Sequence, residues 1–233
     1  MEGTDAINTE LNAVVLPALN EAGHIQSLIQ KLKSKGYVVI VVDDGSTDNT
    51  QEIAEKAGAI VLRHAVNCGA GAATQTGLTY AYQCTKAPYV ITCDADGQHE
   101  VADIDTLVSF IEEQKKDVVF GSRFLQENHV PLLRRLANMV GNVITFALSG
   151  IYLSDSQSGL KVFSRKALQY INITANGFEF CSEIIREVSE SNLSYAEYPI
   201  HVYYSKETLS KGQNLSTGFV TVFKLIVRSL MRR

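Results

Sequence analysis

The chain of 233 residues has no tryptophan, four prolines, four cysteines and three methionines, and each scarcity excludes something. So few prolines are incompatible with an extended proline-rich or low-complexity protein. Cys68, Cys84, Cys93 and Cys181 form no C-x-x-C pair and no metal-ligand rhythm, which excludes a zinc module and a disulfide framework. They read as reduced core residues of a cytosolic protein. No run of about 18 apolar residues is present, so a transmembrane span is not expected. The polar stretch Met1 to Asn12 lacks the basic-then-apolar pattern of a signal peptide, so secretion is not expected either. A net charge of −4 offers no footprint for nucleic acid.

What the chain does have is alternation. Residues 11–16 read as a buried strand broken by Pro17, and 22–35 as a helix with Ile25, Leu28, Ile29 and Leu32 on one face, stopped at Gly36. Val38 to Val42 is a β-branched run expected to be buried on both faces. A helix near 49–57, a strand at 59–63, a glycine-rich turn at 67–71 and a helix at 72–83 follow. Strand 89–93, helix 102–114 and strand 117–120 continue the pattern. The expectation is an α/β fold with a mostly parallel central sheet flanked by helices. Ligands of such sheets bind beyond the carboxyl ends of the strands.

Three polar clusters sit at those ends: Asn20-Glu21, Asp43-Asp44-Gly45-Ser46, and Asp94-Ala95-Asp96-Gly97-Gln98-His99. In the last, an apolar run ends in two carboxylates spaced i, i+2, which converge only if a divalent cation neutralises them. Oxygen ligands favour Mg²⁺ or Mn²⁺, and such ions commonly bring a substrate's phosphates. An EF-hand is excluded because the glycine comes two positions early and a strand precedes the motif instead of a helix. Helix capping by Ser46 or Asp48 explains one residue of the second cluster, not two adjacent acids after a buried strand. Gly69-Ala70-Gly71 imitates a dinucleotide fingerprint, but Thr74 replaces the third glycine, so close helix packing beside a nucleotide pocket is the better reading.

These motifs, with Leu16-Pro17-Ala18-Leu19 ahead of them, closely resemble the family 2 glycosyltransferases, whose fold is called GT-A. Gly121-Ser122-Arg123, Asp155 through Gly159 and Lys211-Gly212-Gln213 are similar to the polyprenyl-phosphate, dolichol-phosphate mannose synthase-like branch. The resemblance implies a catalytic domain over 11–215 that moves a hexosyl unit, with inversion, from a UDP- or GDP-sugar to polyprenyl phosphate. It implies that Asp96 and Gln98 are direct metal ligands and that Asp94 is shared between metal and ribose. Asp44 would recognise the base, with Pro17, Ala18 and Glu21 around the nucleoside; Asn20, Asp43, Gly45, Ser46, Gly71, Ala95 and Lys211 complete the nucleotide-sugar set. Ser122 and Arg123 would meet the acceptor phosphate.

Asp96, Asp155 and Arg123 are the catalytic candidates. A phosphate acceptor is already ionised near neutral pH, so Asp155 is expected to orient groups more than to take a proton. His99 is placed near donor or acceptor, His201 in a structural role. Glu179 and Glu183 share a helical face with at least one of them exposed, and Lys211 sits on a loop closing over the donor. Arg134 and Arg135 read as a solvated or membrane-facing pair. Residues 131–153 and a basic amphipathic helix at 216–233 suggest peripheral contact at the cytoplasmic face of a membrane. A saccharide-hydroxyl acceptor, a decayed sugar-nucleotide-binding protein and a nucleotide-sugar pyrophosphorylase are the rival readings.

Overall fold

The computed structural model describes residues 10–202 apart from His129 and Phe178. Lys211 with its Lys211-Gly212-Gln213 motif, and the helix expected at 216–233, lie outside the described residues. The strands are β1 (Ala13–Ala18), β2 (Val38–Asp43), β3 (Ile60–Arg63), β4 (Tyr89–Thr92), β5 (Val118–Ser122), β6 (Lys161–Ser164) and β7 (Tyr195–Pro199). The helices are α1 (Ile25–Ser34), α2 (Thr50–Lys56), α3 (Ala70–Cys84), α4 (Val101–Gln114), α5 (Leu132–Ser149) and α6 (Phe180–Glu190).

One seven-stranded sheet runs in the order β3-β2-β1-β4-β6-β5-β7. All neighbours are parallel except the two pairings of β6, which runs against β4 and β5. The strands are apolar on both faces because both are covered. Val14 and Leu16 pack with Ile25, Ile29, Ile104 and Leu107 of α1 and α4. Ala13 and Val15 pack with Leu78 of α3 and Ile184 and Ile185 of α6. The stripe Ile25, Leu28, Ile29 and Leu32 is buried as its helical spacing requires.

Several boundaries differ from the sequence reading, each for a physical reason. Pro17 does not break β1; it stays in register with Val42. Val15 accepts the Cys93 N–H on the β4 side, and β4 pairs with β1 no further than Val15. Two residues on, Pro17 faces that same side, where no strand asks for its missing N–H. β7 has no apolar run and ends in Pro199; it is an edge strand given by its pairing with β5. Glu179 and Glu183 are both buried, contrary to the expected exposure of one. Of the cysteines only Cys93 and Cys181 are buried; Cys68 and Cys84 are intermediate, and all four are free thiols.

Candidate active site

The carboxyl ends of β1, β2, β4 and β5 and the start of the antiparallel β6 share one edge of the sheet, and the polar clusters meet there. At β2 the two adjacent acids divide their work. Asp43, fully buried, accepts from Arg63 Nη1 at 2.6 Å and from the Ser46 N–H at 2.9 Å. Asp44 accepts the N–H groups of Cys68 at 2.9 Å and Gly69 at 2.7 Å, and its Oδ1 lies 2.7 Å from His64 Nδ1. Asp43 therefore shapes the turn from within, while Asp44 pins the 66–69 loop across from it. Ser46 accepts the Asn20 N–H at 2.9 Å, and Asn20 Oδ1 accepts the Thr47 N–H at 2.9 Å, which joins the β1 and β2 ends into one wall. The Glu21 N–H donates to Thr50 Oγ1 at 2.9 Å in the same wall.

The loop that Asp44 holds leads into α3, which is packed from the other side. The Gly71 N–H donates to the Asn176 carbonyl at 2.9 Å, and a Cβ at Gly71 would collide with the Ala175 carbonyl and with Phe180. Gly71 is thus a close-packing position beside the pocket. Glu183 secures the opposing loop: its carboxylate accepts the N–H groups of Thr174 at 2.9 Å and Ala175 at 2.7 Å.

At β4, Asp94 leaves the strand over Gly159, where a Cβ would fall into its carboxylate. His99 Nε2 stands 3.6 Å from Asp94 Oδ2, and His99 pairs as an isolated bridge with Val202. Asp96 accepts the Gln98 N–H at 3.0 Å and the Gln98 side-chain amide on its other oxygen. The two acids are driven apart in acidity. Burial pushes Asp94 up, but His99, Lys161 and Arg123 outweigh it and hold its carboxyl below the usual value. Burial and the neighbouring Asp94 charge raise Asp96. Asp94 and Asp96, which repel each other, and the neighbouring Gln98 side chain offer oxygen ligands, a chemistry that fits Mg²⁺ or Mn²⁺.

At β5 the geometry gives Arg123 and Asp155 to each other. Asp155, 1% exposed, accepts from Arg123 Nε at 2.6 Å and Nη2 at 2.8 Å, a bidentate pair, and also from the Arg123 N–H at 3.1 Å. The Arg123 guanidinium engages both oxygens of Asp155, so Asp155 fixes Arg123. Ser122 is fully buried and shares a 2.6 Å hydrogen bond with Ser154 Oγ, so its hydroxyl does not face an acceptor phosphate as expected. Glu197 of β7 accepts the Ser154 N–H at 2.8 Å and hydroxyl at 2.7 Å. Asn142 closes the turn, donating to the Ser154 carbonyl at 2.8 Å and accepting the Ser156 N–H at 2.9 Å.

Pro17, Ala18, Asn20, Glu21, Asp43, Asp44, Gly45, Ser46, Gly71, Asp94, Ala95, Asp96, Gln98, Ser122, Arg123 and Asp155 all lie on or directly behind this edge. His64, Lys161 and Glu197 are members of the constellation that the sequence reading does not name, whereas Gly159 stands in the Asp155-to-Gly159 motif and Glu183 on a helical face near the site. Lys161 alone carried a signal, a cation inside the apolar strand Leu160 to Phe163.

The family model for glycosyl transferase family 2 matches residues 13–171. A Methanocaldococcus jannaschii protein without an assigned role, MJ1222, is 39% identical over 230 residues, covering 96% of this chain and 94% of its own. A Methanococcus voltae UDP-N-acetylglucosamine–dolichyl-phosphate N-acetylglucosaminyltransferase is 33% identical over 237 residues, covering 92% of this chain and 94% of its own. Among solved structures, glucosyl-3-phosphoglycerate synthase from Mycobacterium tuberculosis in complex with Mn²⁺, UDP-glucose and phosphoglyceric acid superposes with a TM-score of 0.68 at 20% identity. It covers 95% of this chain and 79% of that one, a likeness of fold. The family match over most of the chain and the acidic edge of the sheet lead to one conclusion: the chain belongs to glycosyl transferase family 2, a GT-A-fold glycosyltransferase that uses a nucleotide sugar as donor.

Proposed function

We propose that this enzyme moves a hexosyl unit from a UDP- or GDP-sugar to polyprenyl phosphate at a membrane surface, by a metal-dependent, inverting displacement. The observation that carries the acceptor assignment is the orientation of α5, which is inside out. Its polar residues Asn138, Asn142, Thr145 and Ser149, spaced by four, three and four, are buried. Its apolar residues Leu132, Leu136, Met139, Val140, Val143 and Phe146 are exposed, Leu132 to 73%. A solvent-facing apolar stripe of this kind marks a surface that meets lipid or a partner. No described helix is long and apolar enough to cross a membrane, so a stripe lying on the surface fits better than a span.

Between α5 and the Ser154 turn is a groove of about 340 Å³, lined by Phe124, Arg135, Asn138, Met139, Val143 and Tyr152 among others. It combines apolar walls with one exposed cation, and Phe124 and Ser154, the chain neighbours of Arg123 and Asp155, are part of its lining. An isoprenoid chain along the stripe would bring its phosphate toward the Asp155–Arg123 pair. The dolichyl-phosphate transferase from Methanococcus voltae and a dolichyl-phosphate β-glucosyltransferase from Trichomonas vaginalis, 28% identical over 213 residues, support the same acceptor class.

In this reading Asp44 and the 66–69 loop bind the base and the β1–β2 wall encloses the nucleoside. Asp94, Asp96 and Gln98 would hold Mg²⁺ or Mn²⁺, which when bound neutralises charge on the departing nucleoside diphosphate. An oxygen of the acceptor phosphate attacks the anomeric carbon as the bond to the diphosphate oxygen breaks. Because that nucleophile is already ionised, no residue has to remove its proton, in keeping with an Asp155 committed to Arg123. Thermal melting with UDP- and GDP-sugars, each with and without Mn²⁺, tests the donor half. A single base series should stabilise the wild type only with metal, and D96A should abolish that shift. Equal stabilisation of wild type and D96A would contradict metal-dependent binding.

A further inference from the structure

Lys161 carries a charge where charges are costly. It opens β6 in the middle of the sheet, in register with Thr92 of β4 and Phe120 of β5, and only 1% of it is exposed. Its ammonium donates to the Ser158 carbonyl, lies 3.5 Å from Cys181 Sγ and 5.5 Å from the Phe180 ring centre. All of these are neutral. Ion pairs at this edge join Arg63 to Asp43 and Arg123 to Asp155, and none among the described residues joins Lys161. A buried ammonium without a counter-ion is destabilising unless another charge answers it.

The register shows which charge is near. Antiparallel pairing of Thr92 with Lys161 puts Gly159 across from Asp94, and the Asp94 carboxylate occupies the space that a side chain at Gly159 would fill. Lys161 thus lies two residues along β6 from the glycine that sits beneath the acidic turn. The formal charges can then be matched. A divalent ion balances Asp94 and Asp96, and Arg123 balances Asp155. Among these groups Lys161 is the cation without an acid in salt-bridge contact, and the donor's diphosphate is the anion that arrives at the same turn.

We propose that Lys161 is a positioning residue for the diphosphate, its buried ammonium offsetting Asp94 so that the acidic turn accepts an anion. This rests on the metal-dependent donor site described above. The test is titration calorimetry of the full-length wild type and variants with UDP, uridine, GDP and guanosine in Mn²⁺, using the base series that the wild type prefers. K161M and K161Q should bind the diphosphate on the order of tenfold more weakly, the effect of one unit charge several ångströms away. Their affinity for the nucleoside should be unchanged, and K161R should return the diphosphate to within about threefold of wild type. Equal loss of diphosphate and nucleoside, no loss of either, or a K161R that binds like K161M would overturn the inference. A wild type that binds neither diphosphate would overturn the donor reading and this inference together.

Discussion

At position 159 a single methyl group is too much. A Cβ there would enter the Asp94 carboxylate, so Gly159→Ala should displace one of the two acids while leaving the buried sheet intact. Transfer activity is expected to fall by roughly tenfold or more, with melting temperature changed by only about 2 °C. Asp155→Asn should do the reverse in proportion: it strips a buried partner from Arg123 and should cost about 3 kcal/mol, the usual penalty for breaking one side of a buried ion pair. Calorimetry should then show a melting point lower by about 6–12 °C. The contrast between these residues explains what was legible. Asp94 and Asp96 violate the pattern of the strand they follow, so the sequence displays them. Gly159 is visible as the end of the Asp155-to-Gly159 motif, but its reason for being glycine, a cross-strand neighbour far away in the chain, is not. Asp155 was visible as a site residue, but its engagement with Arg123 exists only once β5 and the 154–156 turn are brought together.

At the scale of elements, the repeated strand–helix units were readable because local periodicity and burial agree in them. β6 was readable as a short strand over 160–163 but not as a reversed one, and β7 was not readable, since pairing with β5 is a long-range event that leaves little trace in five polar-apolar residues. Glu183 was readable as a helix-face residue near the site, but not its action on a loop and through it on the start of α3. Glu183→Ala would leave the Thr174 and Ala175 N–H groups without their acceptor, costing about 2 kcal/mol and raising the Michaelis constant for donor more than it lowers turnover. Steady-state kinetics beside thermal melts would read both effects. The junction after β7 should respond to pH. The Asp103 hydrogen bond and charge, with Glu100, raise His201 above 6.5 against slight burial. A raised histidine stabilises the fold fully below its unfolded value, and that contribution disappears as pH rises through the folded value. His201→Gln should therefore lower the melting point at about pH 5.5 and have no effect at about pH 9. A deficit that is the same at both pH values would contradict the coupling.

For the whole molecule, two surfaces differ in chemistry. The sheet edge is acidic and polar, whereas α5 presents six large apolar side chains to the outside. That stripe was legible as an amphipathic segment, but not its polarity toward the core, because only the fold reveals that Asn138 and Asn142 are buried while Leu132 and Leu136 are exposed. Met139→Glu with Val143→Glu should abolish sedimentation with vesicles containing short polyprenyl phosphate while leaving nucleotide binding within about twofold of wild type. Loss of both would indicate that α5 is needed for the donor site itself.

The most direct measurement gives the purified enzyme its preferred radiolabelled nucleotide sugar, Mn²⁺, and an equimolar mixture of short polyprenyl phosphate and oligosaccharide. Label should appear in the organic phase as a sugar-phosphate lipid, and should be absent with EDTA or with Asp96→Asn. Label confined to the oligosaccharide, or lipid product that persists in EDTA and in the variant, would contradict metal-dependent transfer to polyprenyl phosphate.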